Sequence, residues 1–128
     1  MKACTDIEQS KKLAEILPIE SADAFYDMAE PEKRQVPIIG NPDDYYDMED
    51  WTIPCWSLAA LLDQLEDVIC DEEDNQWELV IKKEGVQYDL YYLIVYGEQE
   101  NIELDRFYDD LIDCCFQMIF KLKEKDLL

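Results

Sequence analysis

The sequence predicts an α+β fold: a small antiparallel sheet of two or three strands, packed by helices, in a single domain spanning 1–128. Three observations carry this. Residues on either side of Glu84-Gly85 alternate apolar and polar with period two, the pattern of an antiparallel hairpin with one buried side. Three other segments place apolar residues at helical spacing behind capping residues. Strands and helices do not alternate regularly, which favours helices covering one face of an antiparallel sheet over a parallel doubly wound sheet.

The first helix is expected at about 6–17. Thr5-Asp6-Ile7-Glu8 reads as a capping box with Thr5 as cap, Ile7, Leu13, Ala14 and Leu17 form the apolar stripe, and Pro18 ends it. Ser21 to Tyr26 reads as a second short helical turn capped by Ser21. Residues 29–54 read as an irregular but anchored segment, because Pro31, Pro37, Gly40, Pro42 and Pro54 punctuate it while Val36, Ile38, Ile39, Tyr45, Tyr46, Met48 and Trp51 supply apolar weight. A short strand is expected at 36–39. A helix at about 57–67 follows, with Ser57 as cap and Leu58, Leu61, Leu62 and Leu65 on one face.

Val68-Ile69-Cys70 reads as an edge strand. The central hairpin is expected at about 77–83 and 86–95. Trp77, Leu79 and Ile81 face the core from its first strand, and Tyr88, Leu90, Tyr92 and Ile94 from its second. Tyr91, Leu93 and Val95 make the second strand apolar on both faces, which predicts a central or partly covered position. The last helix is expected at about 105–125. Its stripe is Phe107, Leu111, Cys115, Met118 and Leu122, with Asp105, Asp109 and Asp110 at the start and Lys121, Lys123 and Lys125 at the end, where each sign complements the helix dipole.

The chain carries 32 acids against 11 bases, a net charge of −21. A surface so negative repels nucleic acid and anionic membranes and favours a cationic partner. No apolar run approaches the ~18 residues needed to cross a bilayer. The opening Met1-Lys2-Ala3-Cys4-Thr5-Asp6 turns polar before an apolar signal region could form. With an odd number of cysteines (4, 55, 70, 114 and 115), this reads as a cytoplasmic protein with reduced thiols. Histidine is absent, which removes the commonest general base and metal ligand.

The acids are unevenly placed. Between Arg34 and Lys82 there is no base, while residues 35–81 hold 13 acids. Two runs stand out, Asp43 to Asp50 and Asp63 to Asp74. The plainest reading is a solvated surface. The sharper reading is a partner surface formed by Asp43, Asp44, Tyr45, Tyr46, Asp47, Glu49, Asp50, Asp71, Glu72, Glu73 and Asp74, where aromatic residues among charges resemble interface anchors. Tyr45, Tyr46, Trp51 and Trp56 better suit plugs that fix an irregular loop to the core. Asp71-Glu72-Glu73-Asp74-Asn75 is oxygen-rich but lacks the ligand ladder and turn glycine of a calcium loop.

Cys114-Cys115 lies within a helix, where adjacent side chains diverge, so both read as small buried hydrophobes. There is no C-x-x-C, phosphate-binding glycine loop or nucleophile elbow. No catalytic residue, metal ligand or cofactor is therefore expected.

Several stretches together resemble a family of small uncharacterised proteins of gut Bacteroidetes and their phages and mobile elements. They are Glu8-Gln9-Ser10-Lys11-Lys12-Leu13, Leu17-Pro18, Ser21-Ala22-Asp23, Ile53 to Leu62, the Trp77–Ile81 and Tyr88–Tyr92 strands, and the Leu111–Lys123 helix with Met118-Ile119 and Leu122. The resemblance implies a bacterial or phage-borne cytosolic protein and brings no activity. The expectation is a non-enzymatic accessory protein that binds a protein with a basic surface through its acidic and aromatic middle. It would be a monomer or a dimer through an exposed strand edge. The alternatives are a nucleic-acid-mimicking inhibitor of a DNA-binding protein and, behind it, an enzyme using carboxylates and a metal.

Overall fold

The computed structural model describes residues 2–29, 36–40 and 52–128. The fold is α+β, and the described residues form three α-helices and two antiparallel three-stranded sheets, where the sequence predicts one sheet. The chain divides into two compact units, residues 2–61 and 62–128.

The N-terminal unit opens with helix α1, Ile7–Ala14. Its cap is Asp6 rather than Thr5: Asp6 Oδ1 accepts from Gln9 N at 2.8 Å, and Gln9 Oε1 accepts from Asp6 N at 3.1 Å. Thr5 is turned inward instead. Its hydroxyl accepts from Trp56 N at 3.1 Å and shares a 2.8 Å hydrogen bond with the Ser10 hydroxyl. The helix ends at Ala14, three residues before the expected limit, because Leu17 precedes proline and is driven out of helical geometry. Ile16 and Leu17 amides both close onto Leu13 O.

Ile19–Ser21 then forms a single 3₁₀ turn. The expected helical turn from Ser21 to Tyr26 is instead strand β1, Ala24–Asp27. Long-range pairing overrides the local cap signal: β1 sits between β2, Ile38–Ile39, and β3, Thr52–Cys55, both antiparallel to it. Strand β2 lies within the expected 36–39 strand. Pro54, opposite Phe25, has no N–H to donate, and the outer strand position of β3 tolerates that.

One face of this sheet gathers Ala24, Tyr26, Cys55 and Cys4, with Ile7, Met28 and Ile53 packed against them. Trp56 is fully buried and donates its indole N–H to Ser21 Oγ at 2.9 Å. Burying an indole of ~200 Å² contributes about 5 kcal/mol before entropy is counted. Helix α2, Leu58–Gln64, starts as expected behind Ser57, whose Oγ accepts from Ala60 N at 3.2 Å.

The C-terminal unit holds a meander of β4, Val68–Cys70, β5, Gln76–Glu84, and β6, Gln87–Tyr96. Helix α2 stops at Gln64 rather than Asp67 because the next carbonyls serve the sheet. Glu66 O accepts the buried Tyr92 hydroxyl at 2.7 Å, and Asp67 O accepts Leu79 N at 2.9 Å. Ile69, Trp77 and Ile94 face one another across the three strands, with Leu79 opposite Tyr92 and Ile81 opposite Leu90, the register expected from the alternation. The two-residue turn between Glu84 and Gln87 needs Gly85, whose φ is +66°.

Strand β5, not β6, is central. The apolar outer face of β6 is open, with Leu93 and Val95 both exposed. Its edge is engaged by the chain that follows. Tyr92 exchanges hydrogen bonds of 2.9 Å with Ile102, and Tyr88 pairs likewise with Tyr108. This ties Ile102 and Tyr108 to the β6 edge, with a bend at 105–106 between them, so helix α3 runs Leu111–Glu124 and not from 105. Phe107 is exposed outside it, and Asp105 and Asp109 precede it. Asp110 is its cap, accepting from Ile112 N at 2.9 Å. The helix buries Leu111, Ile112, Cys114, Cys115, Phe116, Met118, Ile119 and Leu122, so both cysteines are core residues.

Candidate functional site

Asp71 to Asn75 connects β4 to β5, and the whole connection is organised by one carboxylate. Asp71 Oδ1 accepts from Glu73 N at 3.0 Å and Asn75 N at 2.9 Å, while Oδ2 accepts from Asn75 Nδ2 at 2.8 Å. The Asn75 amide foremost, against a smaller opposing effect of burial, holds the Asp71 carboxyl below its ordinary range. Asp74 adopts φ +65°, a left-handed conformation that aspartate tolerates. With Asp71 turned onto the backbone, Glu72, Glu73 and Asp74 are left exposed at the tip.

Asn75 is itself buried, and it is seated against Gly97 at the end of β6. The segment after Gly97 is fixed by two further hydrogen bonds: Trp77 Nε1 donates to Glu100 O at 3.0 Å, and Ile94 N donates to Asn101 Oδ1 at 2.9 Å. Glu98 and Glu100 are thereby held at the same end of the sheet as Asp71.

Two open grooves of about 610 and 730 Å³ adjoin here, sharing Asp71, Lys125 and Leu127. Among the described residues, they are lined between them by seven carboxylates (Glu66, Asp71, Glu72, Glu73, Glu98, Glu100 and Asp126) against one base, Lys125. Parts of Trp77, Ile102 and Leu127 form the floor. The trough suits a cationic side chain whose aliphatic stem can lie on the floor while carboxylates meet its head.

Of the residues expected to form a partner surface, Asp71, Glu72 and Glu73 line this trough and Asp74 lies beside them in the turn. Asp43, Asp44, Tyr45, Tyr46, Asp47, Glu49 and Asp50 lie outside the described residues, as does Trp51. Trp56 is a core residue. Glu66, from the Asp63 to Asp74 run, joins the site, as do Glu98, Glu100 and Asp126, which the sequence did not single out. The pairing of Gln76 with Tyr96 is what brings the second acidic stretch to the first. Among the described residues, no group of three or more cysteines and carboxylates is placed to hold a metal ion. No helix among them is long and apolar enough to cross a membrane.

A second chemical cluster lies in the N-terminal unit. Cys4 and Cys55 place their sulfurs 3.3 Å apart in hydrogen-bond contact, with the Tyr26 hydroxyl 3.4 Å from Cys4 Sγ. Tyr26 donates to Thr5 O at 2.8 Å. Asp23 is committed elsewhere, accepting from Ser57 N at 2.9 Å and from the Ser57 hydroxyl.

Fold and site together define a class no narrower than an α+β protein with two small antiparallel sheets and a carboxylate-lined trough. Compared with known proteins, the chain matches no family model, no curated protein and no solved structure.

Proposed function

We propose that this protein is a non-enzymatic interaction protein, an accessory of a bacterial mobile element or phage. It works in the cytoplasm and binds a basic segment of a partner protein in the acidic trough of residues 62–128. The observation that carries the reading is the convergence of seven carboxylates and a single base on one groove pair. Like charges cost energy when gathered, and an incoming cation offsets that cost. The rest of the chain supports it: at −21, the long-range field steers positive partners and repels nucleic acid and anionic lipid. The family resemblance of the sequence supports the bacterial or phage-borne setting.

The test is a pull-down from a Bacteroidetes lysate at about 0.05 and 0.5 M salt, the higher salt shortening the Debye length to a few ångströms. Wild type is compared with a variant carrying Glu72→Gln, Glu73→Gln, Glu98→Gln and Glu100→Gln. The expected result is a specific protein retained by wild type, weakened by salt, lost by the variant and not displaced by duplex DNA. Equal retention by the variant would refute the trough as the binding surface. Displacement by DNA would show instead that the carboxylates imitate phosphates.

A further inference from the structure

Cys4 and Cys55 are 51 residues apart in sequence, yet their sulfurs touch at 3.3 Å inside the N-terminal unit. Their positions are set by the backbone. Cys55 ends β3 opposite Ala24, while Cys4 pairs with Ser57 in an isolated bridge. The Thr5 amide donates to Trp56 O at 2.9 Å and the Trp56 amide donates back to the Thr5 hydroxyl, which fixes the register between the two cysteine-bearing strands. A disulfide needs the sulfurs at about 2.05 Å, so closure requires a movement of roughly 1.3 Å, within reach of side-chain rotation. The other three cysteines lack this arrangement: Cys114 and Cys115 diverge on a helix, and Cys70 is exposed on β4.

We propose that Cys4 and Cys55 are a reversible dithiol–disulfide pair, oxidised by hydrogen peroxide and closing a covalent link between the N-terminal segment and β3. Access favours a small oxidant. Cys4 keeps 6% of its surface exposed while Cys55 keeps none, and Tyr26, which contacts the Cys4 sulfur, lines a shallow groove with Asp6, Ile7 and Glu8. Cys4 is therefore the attacking thiol. Its acidity agrees: the hydrogen-bond contact with Cys55, and less so that with Tyr26, outweighs burial and the fields of Asp23 and Asp6, holding it down to about 7. Cys55 is pushed up, first by its hydrogen bond to Cys4 and then by burial, and keeps its proton until the second step.

The Cys4 thiolate attacks one peroxide oxygen, the O–O bond breaks, and hydroxide leaves to be protonated to water. The product is a sulfenic acid on Cys4. The Cys55 sulfur then attacks that sulfur. The S–O bond breaks as the S–S bond forms, and the thiol proton departs with the hydroxyl as a second water. Two thiols lose two electrons in total, and one peroxide becomes two waters.

The experiment uses the full chain carrying Cys70→Ser, so that the exposed thiol cannot exchange. The folded protein is treated with hydrogen peroxide, alkylated under denaturing conditions and mapped by mass spectrometry without reduction. The expected result is a Cys4–Cys55 linked peptide that disappears on adding dithiothreitol. With Cys55→Ser added, the link is lost and dimedone captures a sulfenic acid at Cys4. Alkylation of both Cys4 and Cys55 after peroxide would overturn the pair, as would a link through Cys114 or Cys115. A dimedone adduct at Cys55 in a Cys4→Ser variant, with none at Cys4 in Cys55→Ser, would overturn the assigned order. Should either serine variant fail to fold, the peptide map of the Cys70→Ser chain decides by itself.

Discussion

Replacing Gly97 with alanine tests whether the acidic trough is built as described. Gly97 has φ +109°, a conformation side chains rarely adopt, at a cost of about 1–3 kcal/mol. An added Cβ would also fall on Asn75, overlapping Oδ1 and lying 3.0 Å from Cγ and 3.2 Å from Cα. The last of these is backbone, so the strand end and the loop must part, and the buried Asn75 amide loses its seat. Displacing a buried amide from its hydrogen bonds costs a further ~1–3 kcal/mol.

The two costs together come to about 4 kcal/mol, a large part of the ~5–15 kcal/mol that holds a domain folded. Gly85→Ala is the control. Gly85 also has positive φ (+66°), but nothing lies within 4 Å of its added Cβ, so only the conformational cost of about 1 kcal/mol applies. Urea denaturation followed by circular dichroism reads both. At a slope of ~2 kcal/mol/M, Gly97→Ala lowers the midpoint by about 2 M and Gly85→Ala by about 0.5 M, with unchanged slope. If the two variants lose the same stability, the packing of Asn75 against Gly97 is not what holds the two acidic stretches together.

Asp6→Ala removes the side-chain half of the capping box, the acceptor of Gln9 N, and is expected to cost about 1 kcal/mol. Thr5→Ala, which orphans the buried Trp56 amide, is expected to cost ~1–3 kcal/mol by the same urea assay, reversing the order that a Thr5 cap would give. Oxidising Cys4 and Cys55 is expected to raise stability by about 4 kcal/mol through loop-closure entropy across their 51-residue separation, read as a higher urea midpoint than in the reduced protein. Alkaline pH is expected to destabilise the fold. Burial pushes Cys114 up to about 11 and Cys115 up to about 12, whereas unfolded thiols ionise near 9.0, so the unfolded chain sheds protons first. Their contribution is complete below about pH 9 and is lost as pH rises toward about 12. Tyr92, also raised by burial, adds to the loss at the upper end. A urea midpoint equal at about pH 8 and about pH 10.5 would contradict this.

The C-terminal hairpin was legible because its information is local. Alternation over 77–94 and a glycine at the turn determine the strands and their facing residues without help from elsewhere. The N-terminal sheet was not legible for the opposite reason. Its strands are two to four residues long, too short for a period to show, and β1 finds its partners only across the intervening chain. Ser21 and Pro54 pointed the wrong way locally, toward a helix start and away from a strand. The last helix was placed too early because Phe107 happens to continue its spacing, while residues 102–108 are claimed by the β6 edge. At the trough, Asp71 to Asp74 stood out as a run, but Glu98 and Glu100 join them only once Gln76 is paired with Tyr96. The Cys4–Cys55 contact left no sequence signal, since nothing local relates two residues so far apart.

The bridge between Cys4 and Ser57 also dictates an order of events on the ribosome. Sheet pairs in residues 62–128 link neighbouring strands and can form as each strand emerges. The N-terminal unit cannot close that way: Thr5 waits for Trp56, and β1 waits for β3, so its early residues stay unsatisfied until the end of that unit has been made. A nascent chain stalled before Trp56 therefore leaves Leu13, Phe25 and Tyr26 without their final cover, and this is the window in which a chaperone or a protease meets the protein.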